Sequence, residues 1–303
     1  MWRSWGIAMK ILSCFLSFFI FLNMQTTAFA GLDPSNSLSS KSVATISWDK
    51  LSDTDISGKG KLAFTFKPET WKHTETEHFV YHFMDEKKAS MAWIHSEAFY
   101  SWIKDFLGSP ETPGVKKSHI FLFEDKTTWT AFRRKAKPVL FEAVGFTDGK
   151  ELFMYIDPFW LSPKKVLAHE LTHIILLQFL KGTIPLSLNE GLAEFVGYRM
   201  LAVAYEGDEY TIRTVQLVPK SSFIDTEKLL SYKNYPKNEI ATYYDESQLL
   251  VRFLVTTYGG DRFYKLLVEL SHGSPMKETF EKIYETSFEK LSSDFKATAI
   301  QPD

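Results

Sequence analysis

The amino-acid sequence predicts an α+β fold, with strands and helices in the first half of the chain and helices almost alone in the second half. Three stretches of the first half are predicted as strands. Residues 78–83 (HFVYHF) alternate as a strand does, and residues 118–124 (SHIFLFE) and 151–157 (ELFMYID) are short runs of strand-forming residues. From residue 163 onward the apolar patterns predict helices. Strands followed by a run of helices are typical of the α+β class.

The predicted helices are bounded by residues that favour helix ends. Ser162 is a suitable N-cap and Pro163 a suitable first helical residue, so a helix is predicted to begin there and to end at Gly182. Asn189 is the candidate cap of the next helix. In chain order, the predicted helices cover residues 86–108, 126–137, 163–182, 189–205, 247–260 and 261–270.

The composition is that of an ordinary globular protein. The chain has 303 residues, of which 45% are apolar and 24% are charged, and this length is ample for a buried core. The formal net charge is −2, so the chain has no strong basic field. The sequence therefore argues against nucleic acid as a partner.

The first thirty residues have the pattern of a signal peptide. The basic residues Arg3 and Lys10 precede the apolar run 11–24. An Ala-Phe-Ala sequence then offers a cleavage site before Gly31. The alternative is an uncleaved membrane anchor, but a run of this length is short for a membrane span. The sequence therefore predicts an exported protein, periplasmic or extracellular, which has the membrane as a partner only if residues 11–24 remain attached.

Two further segments follow residues 1–30. Residues 31–74 are rich in Ser, Asp, Thr and Gly, and are predicted as a linker or a loosely attached N-terminal segment. Residues 75–303 are predicted as one domain. The only cysteine, Cys14, lies in the predicted signal peptide, so any metal in the mature chain must be held by nitrogen and oxygen atoms.

The most informative stretch is HELTH, residues 169–173. In a helix, His169 and His173 are four residues apart and lie on one face, so their imidazoles can bind a single metal ion. Glu170 is rotated by about 100° from His169 and flanks the pair. From there it could take a proton from a water molecule that the metal activates.

A catalytic zinc site needs a third protein ligand and an open position. Glu190 is the best candidate, because residues 182–189 can span roughly 26 Å and can bring the next helix back to the histidines. Glu194 is four residues further along the same face and could accept a hydrogen bond from a ligating histidine. The sequence therefore predicts one Zn²⁺ per chain.

A buried helix whose polar residues are merely structural is the alternative reading of this stretch. Hiding His169, Glu170 and His173 without partners would cost on the order of several kcal/mol. A second helix that carries NEGLAE at a workable distance supplies the missing ligand, so the metal site is favoured.

HELTH together with NEGLAEF, residues 189–195, resembles the gluzincins, the thermolysin-like zinc metallopeptidases with a glutamate as third ligand. The sequence is most similar to the bacterial peptidase MA-like families, in which a Glu-Gly-Leu-Ala-Glu block follows HExxH. Here the block is PLSLNEGLAE, with Ser187 where tryptophan is usual. The resemblance implies a thermolysin-like zincin fold, with a mixed sheet in the first half and zinc between two facing helices.

The resemblance also implies the role of each site residue. It implies His169, His173 and Glu190 as zinc ligands, Glu170 as general base and acid, Glu194 as the partner of a ligand, and Tyr244 as the phenol that stabilises the oxyanion, with Tyr243 as the alternative. The implied function is that of an exported zinc peptidase acting on a peptide or protein.

Two other functions are compatible with the same motifs. One is a non-catalytic exported binding or assembly protein that keeps the fold, and the other is a zinc hydrolase of non-peptide amides. The intact HExxH disfavours the first, because a purely structural metal site has no need of Glu170.

Overall fold

A five-stranded sheet precedes a set of helices along the chain. The computed structural model describes residues 43–108, 116–137, 143–156, 162–204 and 217–301. The strands are β1 (Lys72–Glu75), β2 (Phe79–Phe83), β3 (Ser118–Phe123), β4 (Gly145–Asp148) and β5 (Glu151–Tyr155).

The strand order is β1-β2-β3-β5-β4. The three inner strands β2, β3 and β5 run parallel, and β1 and β4 pair antiparallel at the two ends. The sheet is therefore mixed. The α+β prediction, with a mixed sheet in the first half, is confirmed.

The described ranges contain ten α-helices, most of them after the last strand. They are α1 (Gly58–Phe64), α2 (Glu86–Phe106), α3 (Lys126–Ala136), α4 (Pro163–Phe179), α5 (Leu186–Ala204), α6 (Thr226–Ser231), α7 (Ile240–Tyr258), α8 (Gly260–Ser271), α9 (Met276–Tyr284) and α10 (Phe288–Ala299). Within the described ranges, no helix is long and apolar enough to cross a membrane.

An aromatic core anchors one face of the sheet. Phe121 and Phe123 alternate along β3 and, with Phe153 of β5, pack against Ala63 of α1 and Phe132 of α3. All five residues are fully buried, and the rings of Phe123 and Phe132 stack with centroids 4.7 Å apart. Each buried phenylalanine contributes about 1.5–3 kcal/mol, so this face fixes α1 and α3 to the sheet.

Helices α2 and α4 cover the opposite face of the sheet. Tyr81 of β2 and Ser96 of α2 share a buried hydrogen bond of 2.5 Å, and Gln178 of α4 donates to the hydroxyl of Ser118. Helix α5 packs on α4, and α7 packs on α5. Helix α4 therefore lies between the sheet and the helical half of the protein.

Residues 43–74 are the described part of the segment that the sequence predicts as a linker or a loosely attached N-terminal segment, and they contact the sheet. Ser57 caps α1, and its hydroxyl donates to Glu151 of β5 at 2.6 Å. Strand β1 extends the sheet, and the backbone of Ile46 pairs with His73. The predicted signal peptide, residues 1–30, lies outside the described residues and stays a prediction, as do the predicted domain boundaries.

Two helices begin earlier than the sequence predicts. Helix α5 begins at Leu186, so Asn189 lies inside the helix rather than at its cap. The reason is local, because the carbonyl of Pro185 already accepts hydrogen bonds from the backbone amides of Leu188 and Asn189. Helix α7 begins at Ile240 instead of residue 247.

Candidate metal centre

Helix α4 carries the two histidines of the HELTH motif side by side. His169 and His173 are one turn apart, and their Nε2 atoms are 3.2 Å from each other. The rings meet edge to face, with centroids 4.9 Å apart. Helical periodicity alone produces this arrangement, since residues four apart share a face.

Glu190 of α5 completes a triangle of ligand atoms. Its Oε2 atom lies 3.6 Å from Nε2 of His169 and 3.8 Å from Nε2 of His173. Across the part of the chain that the structure describes, this is the one group of at least three His, Cys, Asp or Glu residues that could hold a metal ion.

The triangle fits a tetrahedral metal ion. Bonds of about 2.0–2.1 Å at tetrahedral angles place ligand atoms roughly 3.3–3.4 Å apart. The three observed separations, 3.2, 3.6 and 3.8 Å, bracket that value. Glu190 is 4% exposed, whereas both histidines remain partly accessible, so the centre is open on one side.

Each histidine is oriented through its second ring nitrogen. Nδ1 of His169 lies 3.0 Å from Oε1 of Glu194, and Nδ1 of His173 lies 3.1 Å from Oδ1 of Asn189. Both oxygens can accept a hydrogen bond from Nδ1–H, and with a metal ion bound the Nε2 lone pairs would be directed at the common point. Lys165 in turn donates to Oε2 of Glu194 at 2.8 Å, and so holds that carboxylate in place.

The electrostatics of the centre favour a cation. Burial lowers the pKa of His169, but hydrogen bonds with Glu190 and Glu194 outweigh it and raise the pKa to about 10. Burial raises the pKa of Glu194, but His169 and Lys165 reverse the effect and lower it to about 2. Burial raises the pKa of Glu190, but His169 lowers it by more, so the net shift is downward. Both carboxylates therefore carry negative charge at neutral pH.

Glu170 occupies the gap between α4 and the sheet. It is buried, and a Cβ atom placed on Gly145 of β4 would lie 3.1 Å from its Oε1 atom. Burial is the main reason that its pKa is raised, with Glu190 adding to the effect and the two histidines opposing it. The carboxylate thus lies beside the ligands, next to an end strand of the described sheet.

Two glycines bring the helices of the centre together. A Cβ atom on Gly197 of α5 would lie 3.3 Å from the backbone oxygen of Lys165 in α4. A Cβ atom on Gly191 would lie only 2.2 Å from the backbone oxygen of Ser247 in α7. Helix α5 is therefore closely packed on both sides, and this fixes the position of Glu190.

A family comparison agrees with this geometry. The family model of the Peptidase MA superfamily matches residues 137–301, more than half of the chain. The chain belongs to the Peptidase MA superfamily. This confirms the resemblance found in HELTH and NEGLAE. No curated protein matches the sequence.

The match to the Peptidase MA superfamily covers the strands and helices that build the centre. It begins at residue 137, before β4, and includes β5, α4, α5 and α7. Strands β1 to β3 lie before the matched region. The part of this chain that places the candidate ligands is therefore also the part that defines its family.

In this Peptidase MA protein the two candidate tyrosines lie in different surroundings. Tyr243 is fully buried, with its ring against Tyr232 and Tyr235. Tyr244 is partly exposed and stacks on Tyr235 with centroids 6.0 Å apart. Burial and the charge of Glu190 raise the pKa of Tyr244, so its phenol keeps its proton. Of these two tyrosines, only Tyr244 combines an electrostatic effect of Glu190 with access from solvent.

Three contacts of the centre are absent from the sequence prediction. The first is the contact of Asn189 with His173. The sequence favours a helix cap for Asn189, because its residue type suits that role. Lys165 precedes His169 by four residues, a spacing that places both on one face of α4. Tyr235 carries no sequence signal, because it reaches Glu190 from a loop 45 residues away.

Proposed function

We propose that this chain is a zinc-dependent peptidase, which hydrolyses peptide bonds with Glu170 as general base. The observation that carries the proposal is the triangle of His169 Nε2, His173 Nε2 and Glu190 Oε2, with Glu170 next to the first ligand on the same helix. Membership of the Peptidase MA superfamily supports a peptide or protein as the substrate.

One Zn²⁺ per chain would be held by the three ligand atoms. Two imidazoles and one carboxylate are a donor set that suits zinc, and three protein ligands leave one position free for chemistry. When bound, zinc supplies a Lewis acid that polarises a peptide carbonyl and makes water acidic enough to react near neutral pH.

Glu170 moves the proton in this mechanism. Its carboxylate accepts a proton from the attacking water and then gives it to the leaving amine. Burial favours this role, because the raised pKa of Glu170 makes the carboxylate a better base than one in water. Hydrogen bonds that the histidines donate to Glu194 and Asn189 keep both rings fixed during the reaction.

Tyr244 stabilises the negative charge that develops on the carbonyl oxygen. A phenol that keeps its proton donates a hydrogen bond to an oxyanion, and such donors act strongly in a site shielded from water.

The substrate would lie along β4. Among the described strands β4 pairs only with β5, so an extended peptide could pair with its other edge, where the carbonyl of Thr147 accepts a hydrogen bond from Lys137. Gly145 of β4 lies against Glu170, since a Cβ atom placed on it would be 3.1 Å from the Oε1 atom. A peptide paired there would pass beside the general base.

We also propose that the protein is exported, to the periplasm or the extracellular space. The signal-peptide pattern of residues 1–30 is the support for this location. Export suits a metal site without thiolate ligands, because imidazole and carboxylate ligands are insensitive to an oxidising compartment.

Metal content and one isosteric substitution test the proposal. Protein purified without chelators should contain about one zinc per chain. Glu170→Gln should retain that zinc and lower turnover of a peptide library by about 10²–10⁴-fold, because the general base is lost. Glu124→Gln is the matched control: Glu124 accepts hydrogen bonds from the backbone amides of Met84 and Asp85, and the change should leave turnover as it is.

The outcomes separate the proposal from the other two functions. Unchanged turnover in Glu170→Gln would contradict a peptidase mechanism at this site. A zinc-loaded wild-type protein that cleaves no peptide would favour a binding or assembly protein. Hydrolysis confined to non-peptide amides would favour a zinc hydrolase that acts on such amides.

A further inference from the structure

A loop residue contacts the candidate third ligand. Residues 232–239 connect α6 to α7, and Tyr235 lies in the middle of this loop. Its hydroxyl donates a hydrogen bond of 2.8 Å to Oε1 of Glu190. The other oxygen, Oε2, is the one that faces His169 and His173.

The hydrogen bond gives the two oxygens of Glu190 different partners. A ligating carboxylate can bind a metal through one oxygen or through both. The hydrogen bond from Tyr235 occupies Oε1, so only Oε2 of Glu190 faces the two histidines. Glu190 is buried, so this donor engages Oε1 where access of water is restricted.

The ring of Tyr235 is held independently of its hydroxyl. It stacks on Tyr244 at an interplanar angle of 19° and meets Tyr243 edge to face at 89°. The side chain is 40% exposed, so it contributes little to the core. Loss of the hydroxyl would therefore remove the hydrogen bond to Glu190 and a polar contact with the hydroxyl of Tyr244, and would leave the ring packing of the loop in place.

We propose that Tyr235 is a positioning residue, which holds Glu190 so that it offers a single oxygen to the metal ion. The proposal rests on the metal site of the proposed function. It assigns to the α6–α7 loop a part in metal binding that neither HExxH nor NEGLAE contains.

The test is the metal affinity of Tyr235→Phe, measured by competition with a chelator. We expect zinc binding to weaken about 10- to 100-fold, the usual effect of losing a partner of a metal ligand. Tyr232→Phe is the matched control, because Tyr232 lies in the same loop and donates to Glu239, which is no ligand. It should bind zinc as the wild type does.

A cobalt spectrum distinguishes positioning from a general loss of structure. With Co²⁺ in place of Zn²⁺, visible absorption is stronger for four-coordinate than for five-coordinate sites. Tyr235→Phe should absorb more weakly than the wild type, because Oε1 of Glu190 becomes free to bind. A variant that merely destabilised the loop would change the melting temperature of the metal-free protein and leave the spectrum of the loaded protein unchanged.

Three results would overturn the proposal. One is wild-type zinc affinity and an unchanged cobalt spectrum in Tyr235→Phe. Another is an equal loss of affinity in Tyr235→Phe and Tyr232→Phe, which would indicate an effect of the loop as a whole. The third is a wild-type protein that binds no zinc, and only this result would also overturn the proposed function.

Discussion

At the scale of single residues, Tyr243 and Tyr244 differ by one position along α7 and by their access to solvent. Because Tyr244 is partly exposed and near Glu190, we expect Tyr244→Phe to lower kcat by about 10²-fold through loss of an oxyanion donor, with little change in KM. Steady-state kinetics on one peptide substrate measure both constants. Tyr243→Phe is the control, and a larger fall in kcat in that variant would reverse the assignment.

Most of the candidate centre could be predicted because its residues obey helical spacing. His169, Glu170 and His173 share one helix, so four-residue periodicity determines which two can meet. Glu190 and Glu194 are related in the same way on α5. Contacts from other parts of the chain follow no such rule. Nothing local relates Tyr235 to Glu190, and that contact exists only after α6 and α7 have packed.

At the scale of elements, the sequence predicts the strongly apolar segments and misses β1, β4, α1, α6, α9 and α10. Strands β1 and β4 have four residues each and are stabilised by pairing with β2 and β5, which the sequence does not reveal. Helix α1 includes two glycines, which disfavour a helix in isolation. Burial of Ala63 against the sheet overrides that preference.

The close contact between α5 and α7 leads to a prediction at the same scale. Gly191→Ala should lower the free energy of unfolding by about 1–3 kcal/mol, because its Cβ atom would lie 2.2 Å from the backbone oxygen of Ser247. It should also weaken zinc binding, since Glu190 is the preceding residue. Urea denaturation and chelator competition measure the two effects. Gly58→Ala is the control, because nothing lies within 4 Å of its added Cβ atom; equal effects in both variants would contradict the prediction.

At the scale of the whole molecule, a row of three histidines joins the sheet to the segment before it. Nδ1 of His73 lies 2.9 Å from Nδ1 of His82, and Nε2 of His82 lies 2.9 Å from Nδ1 of His119. The row spans β1, β2 and β3. It ends at Asp53, whose carboxylate lies 3.6 Å from Nε2 of His119 and also pairs with Lys150.

This row should make the stability of the fold depend on pH. Burial lowers the pKa of His73 and His119 to about 4, and burial together with the neighbouring histidines holds the pKa of His82 well below the usual 6.5. The unfolded chain therefore binds protons first as the pH falls. The contribution of the row is fully present above pH 6.5 and is lost as the pH falls toward about 4.

Urea denaturation of the wild type at several pH values from 7.5 to about 4.5 should therefore give a falling free energy of unfolding across this range. His119→Asn removes one member of the row and should give a shallower dependence, even if the variant is less stable at every pH. His272→Asn removes an exposed histidine outside the row and serves as the control. If His119→Asn and the wild type share one slope, protonation of the row does not govern the acid stability of the fold.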